Sequence, residues 1–205
     1  MISISKKSRA RAVILFISFN DEETIVNDLE KSLIALYKSI KYGVILNGQQ
    51  PDQPSRRLKE NSLIFIQNKK NIGYGKAANN LYKCISKFVY SDYIIISNID
   101  VAWKPSTVED ILDYLDANPN IGLATPRIED LQGTTQYLCK LNPTILALIS
   151  RRFIPEAIKP AWLRKYDRKY MNMHKNYHDV INSTYLTGCF MVFRTPIFEK
   201  IDGFD

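Results

Sequence analysis

Apolar and polar positions alternate along this chain in blocks that predict strands separated by helices. Val13 to Phe19 is an apolar run of the kind expected of a strand covered on both faces. Asn20 or Asp21 can cap the next helix, and Glu22 and Glu23 suit the positive end of its dipole. Ile25, Leu29, Leu33, Leu36 and Ile40 then recur at helical spacing, and Gly43 is placed to end that helix. Val44 to Leu46 predicts a second strand, residues 47–55 a loop, and Ser62 to Gln67 a third strand. Gly73 to Tyr90 reads as a helix, and Tyr93 to Ser97 as a strongly β-branched fourth strand. Pro105 opens another helix through Ile111, Leu112 and Leu115; Asn118-Pro119-Asn120 stops it, and Ile121 to Thr125 predicts a fifth strand. The pattern loosens from Lys140 to His178, around Pro143, Pro155 and Pro160. It returns as a strand over Tyr185 to Phe193 and a short helix over Thr195 to Ile201.

Strands and helices in this alternation imply an α/β fold with a mostly parallel sheet flanked by helices. Ligands of such sheets bind beyond the carboxyl ends of the strands. Three polar clusters fall there: Ser18 to Asp21, Asn47 to Asp52, and Asn98 to Asp100. At 205 residues the expectation is a single domain over 1–205.

The formal charge of +7 points to an anionic partner, without choosing among a nucleotide, a phospholipid surface and a nucleic acid. The basic residues gather between Arg151 and Lys175 without a recognisable nucleic-acid module, so no nucleic-acid partner is expected. Eight basic residues there face only Glu156 and Asp167, with Trp162, Tyr166 and Tyr170 interleaved, a composition suited to peripheral contact with an anionic membrane. Cys84, Cys139 and Cys189 lie far apart and form no metal-binding pair, and their odd number fits a reducing compartment. His174 and His178 share i, i+4 spacing but lack the glutamate of a zincin, and read as two partly exposed polar side chains. The apolar stretch from Ala12 to Phe19 is too short to span a bilayer. The expected location is cytoplasmic, at the inner face of the plasma membrane if the chain touches a membrane at all.

Two stretches carry candidate chemistry. The first is Ile94-Ile95-Ile96-Ser97-Asn98-Ile99-Asp100-Val101, an apolar strand ending in polar-x-Asp. A carboxylate there can coordinate a divalent ion on a nucleoside diphosphate, or simply cap a turn. The second runs Asn68-Lys69-Lys70-Asn71-Ile72-Gly73-Tyr74-Gly75-Lys76-Ala77-Ala78-Asn79-Asn80. Gly73 and Gly75 permit close backbone approach to a ligand, and the helix start favours an anion; ordinary loop glycines are the alternative. It is neither the P-loop nor the dinucleotide-binding fingerprint.

Asn-x-Gly-aromatic-Gly-x-Ala-x-Asn some twenty residues before a strand ending in Asn-x-Asp-Val resembles the family 2 glycosyltransferases of the GT-A fold, with the Rossmann-like sheet of that fold. The likeness is greatest to the rhamnosyltransferase-type branch that builds bacterial surface polysaccharides. Thr125-Pro126-Arg127 through Asp130 and Gly133, Thr187-Gly188-Cys189-Phe190 through Arg194, and Ile201-Asp202-Gly203-Phe204-Asp205 extend the likeness over nearly the whole chain. The resemblance implies a nucleotide-sugar-binding part over 11–130 and the start of an acceptor-binding part over 131–205. It implies a hexosyl transfer, with rhamnose as a candidate sugar, from a nucleoside-diphosphate donor to a saccharide or lipid-linked acceptor with inversion. Ser18, Asn20 and Glu22 then lie at the nucleotide, Asn79 near the nucleoside, Gly188 and Cys189 on the acceptor side. Asp100 is the metal and diphosphate ligand, for Mg2+ or Mn2+, with Asn98 as the first position of the D-x-D pair.

Two departures from the family pattern matter. Leu46 stands where a base-contacting aspartate is often found, so base recognition is expected of Asn47 or of backbone. The Glu-Asp pair carrying the family's catalytic base follows the Gly-Phe-Asp element, so the base is expected beyond Asp205 and the C-terminal part is expected to be incomplete. The alternatives are a truncated, non-catalytic nucleotide-binding fragment and a sugar nucleotidyltransferase. Acidic Asn20-Asp21-Glu22-Glu23 stands where the latter would carry a glycine- and cation-rich loop.

Overall fold

A computed structural model describes residues 7–19, 40–48, 56–104, 106–186 and 188–205. The chain divides into two compact units, Met1–Ala124 with Gly188–Asp205, and Thr125–Thr187.

The first unit is built on a six-stranded sheet. Its strands are β1 (Ser8–Ser18), β2 (Ile40–Asn47), β3 (Ile64–Asn68), β4 (Val89–Asn98), β5 (Leu123–Ala124) and β10 (Phe190–Arg194), in the order β3-β2-β1-β4-β10-β5. β3, β2, β1 and β4 run parallel, while β10 is antiparallel to both β4 and β5. Ala12 to Ser18 of β1 are all buried, as a strand sandwiched between helices requires. Helices α1 (Arg56–Asn61), α2 (Tyr74–Ile85), α3 (Thr107–Ala117) and α6 (Thr195–Lys200) complete the unit. α2 buries Ala77, Ala78, Leu81 and Ile85 in one stripe against β1 and β2, where they join Val13, Leu15, Ile45, Ile94 and Ile96 in the core.

The mostly parallel α/β sheet agrees with the expectation, but several boundaries differ from it. Gly43 lies inside β2, not at a helix end, because α2 packs onto it: a Cβ there would meet Ile85 Cδ1 at 2.5 Å. Ile40, counted as helical, starts β2 and pairs with Ala12. The helix predicted to reach Tyr90 ends at Ile85, and Val89 and Tyr90 open β4 beside Ser8 and Arg9. The Tyr185–Phe193 strand is broken at Gly188–Cys189, leaving β9 (Tyr185–Leu186) and β10 in different sheets. The helix expected over Ile25 to Ile40 lies, up to residue 39, outside the described residues.

The second unit holds two short β ladders, β6 (Ile128–Glu129) with β7 (Thr135–Gln136), and β8 (Cys139–Lys140) with β9. It also holds helices α4 (Ile145–Phe153) and α5 (Ala161–Tyr170), which pack on each other. Thr144 caps α4 by accepting from Ala147 N at 3.1 Å. Between the helices, the Lys159 ammonium donates to Asp167 at 2.7 Å, and Ser150 Oγ donates to the same carboxylate oxygen at 2.7 Å. His174 and His178 fall in turns rather than on one helical face; His178 lies against Arg127.

Candidate functional site

The sheet order makes β1 a switch point. From β1 the chain moves outward through β2 and β3, then returns to place β4 on the other side of β1. In open α/β sheets, ligands bind beyond the carboxyl ends of the strands at such a point. Ser18 closes β1, buried and paired with Leu46; Asn98 closes β4, paired with Ile17. Beyond Asn98 the chain turns, with Ile99 buried as an anchor and Asp100 exposed. Asn98 N donates to the Cys189 carbonyl at 2.9 Å, which brings the Gly188–Cys189 turn against the end of β4.

Tyr74 joins these parts. Its hydroxyl donates to the Gly188 carbonyl at 2.5 Å. Burial, then the neighbouring Cys189 and Asp100, holds that hydroxyl well above its ordinary pKa, so it stays a donor throughout the physiological range. Trp103, three residues past Asp100, stacks on Phe16 with ring centroids 5.9 Å apart and meets Phe190 edge-on at 5.4 Å. It fastens the loop that carries Asp100. Neither Tyr74 nor Trp103 was expected as a site residue. The sequence signal for Trp103 was a tryptophan in an otherwise loop-like stretch, and Tyr74 was visible only as the aromatic between two glycines.

Asn47 is only 2% exposed and its amide is fully used. It donates to Asn71 Oδ1 at 3.0 Å and to the Gly73 carbonyl at 3.2 Å. It accepts from Asn68 Nδ2 at 3.2 Å and from Ile72 N at 3.1 Å. A side chain with all four positions filled has none left for a base, so Asn47 shapes the loop 68–73 instead. Gly73, with φ 88°, lies in the region that favours glycine, and a Cβ there would meet nothing within 4 Å. No side chain caps α2, which leaves its first amides open to an anion. A pocket of about 610 Å³ borders this helix, lined by Asn71, Ile72, Lys76, Asn79 and Asn80.

Asn79 and Gly75 meet the far end of the chain. Asn79 Nδ2 donates to the Phe204 carbonyl at 2.7 Å, and its Oδ1 accepts from Phe204 N at 3.0 Å. Gly203, at φ 75°, passes so close that a Cβ would lie 2.3 Å from Asn79 Oδ1. A Cβ on Gly75 would lie 2.8 Å from the Phe204 Cβ. The Asn79 amide, expected near a nucleoside, is thus engaged by backbone, and it is Phe204 that packs against Gly75. Asn20 and Glu22 lie outside the described residues. Among the described residues no group of three or more His, Cys, Asp or Glu is arranged to hold a metal ion, so Asp100 stands as a lone carboxylate beside Asn98.

Comparison with known proteins gives this geometry a setting. The chain is 23% identical, over 142 residues, to the N-acetylglucosaminyl-diphospho-decaprenol L-rhamnosyltransferase of two Mycobacterium tuberculosis strains; the match covers 66% of this chain and 45% of the relative. The solved mannosyltransferase PcManGT from Pyrobaculum calidifontis, in complex with GDP-Man and Mn2+, superimposes with a TM-score of 0.61 at 13% identity, over 98% of this chain and 49% of that one. Staphylococcus aureus TarS 1-349, in complex with UDP-GlcNAc, gives a TM-score of 0.57 at 14% identity, over 93% and 47%. This chain therefore spans about half the length of the proteins it matches. Its fold is theirs, and residues 13–202 match the sequence model described as Glycosyl transferase family 2, so the chain belongs to that family.

Proposed function

We propose that this chain carries the nucleotide-sugar-binding part of a glycosyltransferase and takes part in transfer of a rhamnose-type hexose from a nucleoside-diphosphate donor, with inversion. The acceptor in this reading is a saccharide, carried on a lipid and met at the cytoplasmic, inner face of the plasma membrane. One observation carries the reading most: Asp100 is exposed two residues past the carboxyl end of β4, beside the switch point. Among the described residues it makes no hydrogen bond or ion pair. Family membership and the rhamnosyltransferase relative support it, as do neighbours solved with GDP-Man and UDP-GlcNAc.

An exposed carboxylate two residues after a strand-ending asparagine suits Mg2+ or Mn2+, which accept one or two protein oxygens and take the rest from phosphates and water. Asp100 would hold the ion, with Asn98 beside it, and the bound ion would neutralise charge gathering on the departing diphosphate. Gly73 and the open amides of α2 offer a second place for the anion, likewise past the carboxyl end of a parallel strand. Tyr74 fixes the Gly188–Cys189 turn, which the reading assigns to the acceptor, beside the Asp100 turn. Ser18 lies at the nucleotide end of β1, and Asn47 holds the loop rather than the base.

The test is calorimetric titration of the chain with UDP, dTDP and GDP, each in Mn2+ and in EDTA. Binding of one of them that requires the metal is the expected result. No metal-dependent binding of any nucleoside diphosphate would refute the reading.

A further inference from the structure

α4 is built inside out. Its buried positions are Ala147 and Ser150, and Ser150 donates to the buried Asp167. Its apolar side chains point outward: Ile145 is 78% exposed and Phe153 73%, with Leu148 and Ile149 also exposed. Past the end of the helix, Ile158 and Trp162, the latter 63% exposed, are also displayed to solvent. A helix that hides an alanine and a serine and displays its large apolar side chains is arranged for an environment other than water.

The charge around it names that environment. Arg151 and Arg152 lie on α4 itself, and Arg164, Lys165, Arg168 and Lys169 are exposed on α5. The only carboxylates between residues 145 and 170 are Glu156 and Asp167. Lys159 engages both, at 3.3 and 2.7 Å, so none of those six cations is paired with a described carboxylate. Two packed helices that display large apolar side chains together with cations facing no described carboxylate match a bilayer surface, acyl chains meeting the apolar groups and anionic headgroups the cations. A nucleic acid would match the cations alone.

We propose that α4, with Ile158, Trp162 and the surrounding basic residues, is the surface by which this unit docks on a bilayer containing anionic lipid. Attachment is both apolar and electrostatic, so it requires Leu148 and Phe153 as well as Arg151 and Arg152. This deepens the proposed function only by saying how a lipid-borne acceptor is met; it does not depend on which nucleotide binds. Of the aromatic residues expected to act as anchors, Trp162 alone is exposed. Tyr170 is buried, and the Tyr166 hydroxyl is engaged with Thr144 Oγ1 at 2.5 Å.

The test is partition of the 205-residue chain onto vesicles of phosphatidylcholine alone and with phosphatidylglycerol, at low and high salt. It is read by co-sedimentation and by Trp162 emission, with Trp162→Phe as the spectral control. Binding should require phosphatidylglycerol, weaken with salt and shift the emission to the blue. Leu148→Gln with Phe153→Gln should lower the partition coefficient at least about tenfold, since both side chains lose an apolar phase. Arg151→Gln with Arg152→Gln should lower it by roughly fivefold per residue. Circular dichroism and nucleoside diphosphate titration on the same variants should match the parent, which separates this claim from the donor-site reading. Three outcomes overturn it: equal recovery with and without anionic vesicles, anionic binding indifferent to the Gln variants at 148 and 153, or a dimer that those variants dissolve while vesicles are ignored. The last would assign the face to a second copy of the chain.

Discussion

Replacing Asn47 by alanine tests whether the loop 68–73 is held by a single amide. The change removes four hydrogen bonds, to Asn68, Asn71, Ile72 and Gly73, at a site only 2% exposed. Each is worth roughly 0.5–1.5 kcal/mol net. Asn71 and Gly73 are exposed and regain water, whereas Asn68 and Ile72 are half-buried and regain less. The expected loss is therefore about 2–4 kcal/mol, a large part of the roughly 5–15 kcal/mol that stabilises a domain. Urea unfolding with an unchanged slope measures it. Gly73 ends this loop and Tyr74 follows it, so nucleoside diphosphate affinity should fall about tenfold, near 1.4 kcal/mol. Asn47→Asp keeps the two accepted bonds but turns oxygen toward the Asn71 and Gly73 oxygens. Its penalty should shrink as pH falls, because a protonated carboxyl can donate one of the lost bonds. A loss below about 0.5 kcal/mol for Asn47→Ala, together with altered base preference, would refute the scaffold role and restore direct base contact.

Gly203→Ala should cost about 2–4 kcal/mol of docking of the terminal segment, combining left-handed strain with displacement of Asn79. In an Asn79→Ala background it should cost only about 1–2 kcal/mol, and additivity in the double-mutant cycle would contradict the clamp. Gly73→Ala should destabilise by about 1–3 kcal/mol through its backbone angles alone (φ 88°, ψ 154°), because a Cβ there meets nothing and only glycine is at ease in that region; Gly73→Asn should cost as much, and an unchanged Tm for either would show that strain is not the cause. Hydrogen bonds from Tyr93 and then Arg11 hold the Asp116 carboxyl below its ordinary pKa. A depressed pKa adds stability above the unfolded value and loses it as pH falls through the folded one. The Tm advantage of the parent over Asp116→Asn should therefore be full near neutrality, begin to fall near the ordinary carboxylate range of about pH 4 and shrink steadily as the pH drops further; an advantage unchanged by acid would contradict the assignment.

Much of the sheet was legible because its signal is local. β1 and β4 are apolar without interruption, and both ends of the Asn98–Asp100 turn could be placed by counting. What escaped depends on distant partners. Gly43 looked like a helix stop because glycine often is one; only Ile85, packing across it from α2, makes it a strand residue. The antiparallel run of β10 leaves no mark in a period-2 pattern, which is the same for either strand direction. Asn79 read as a ligand contact because its backbone partner, Phe204, lies 125 residues away. α4 was missed although Ile145, Leu148, Ile149 and Phe153 do recur at helical spacing, and that this side faces outward depends on its packing with α5, which leaves no mark in the sequence.

The central claim is that Asp100 binds the metal–diphosphate unit of the donor. Calorimetric titration of Asp100→Ala and Asp100→Asn with the preferred nucleoside diphosphate in Mn2+ tests it most directly, with circular dichroism to show that both variants fold. Asp100 is exposed and makes no hydrogen bond or ion pair among the described residues, so neither change should lower the Tm measurably. The account predicts that metal-dependent binding is lost in both variants, leaving only weak affinity equal to that of the parent in EDTA. Parent-like, metal-dependent binding by either well-folded variant would contradict it.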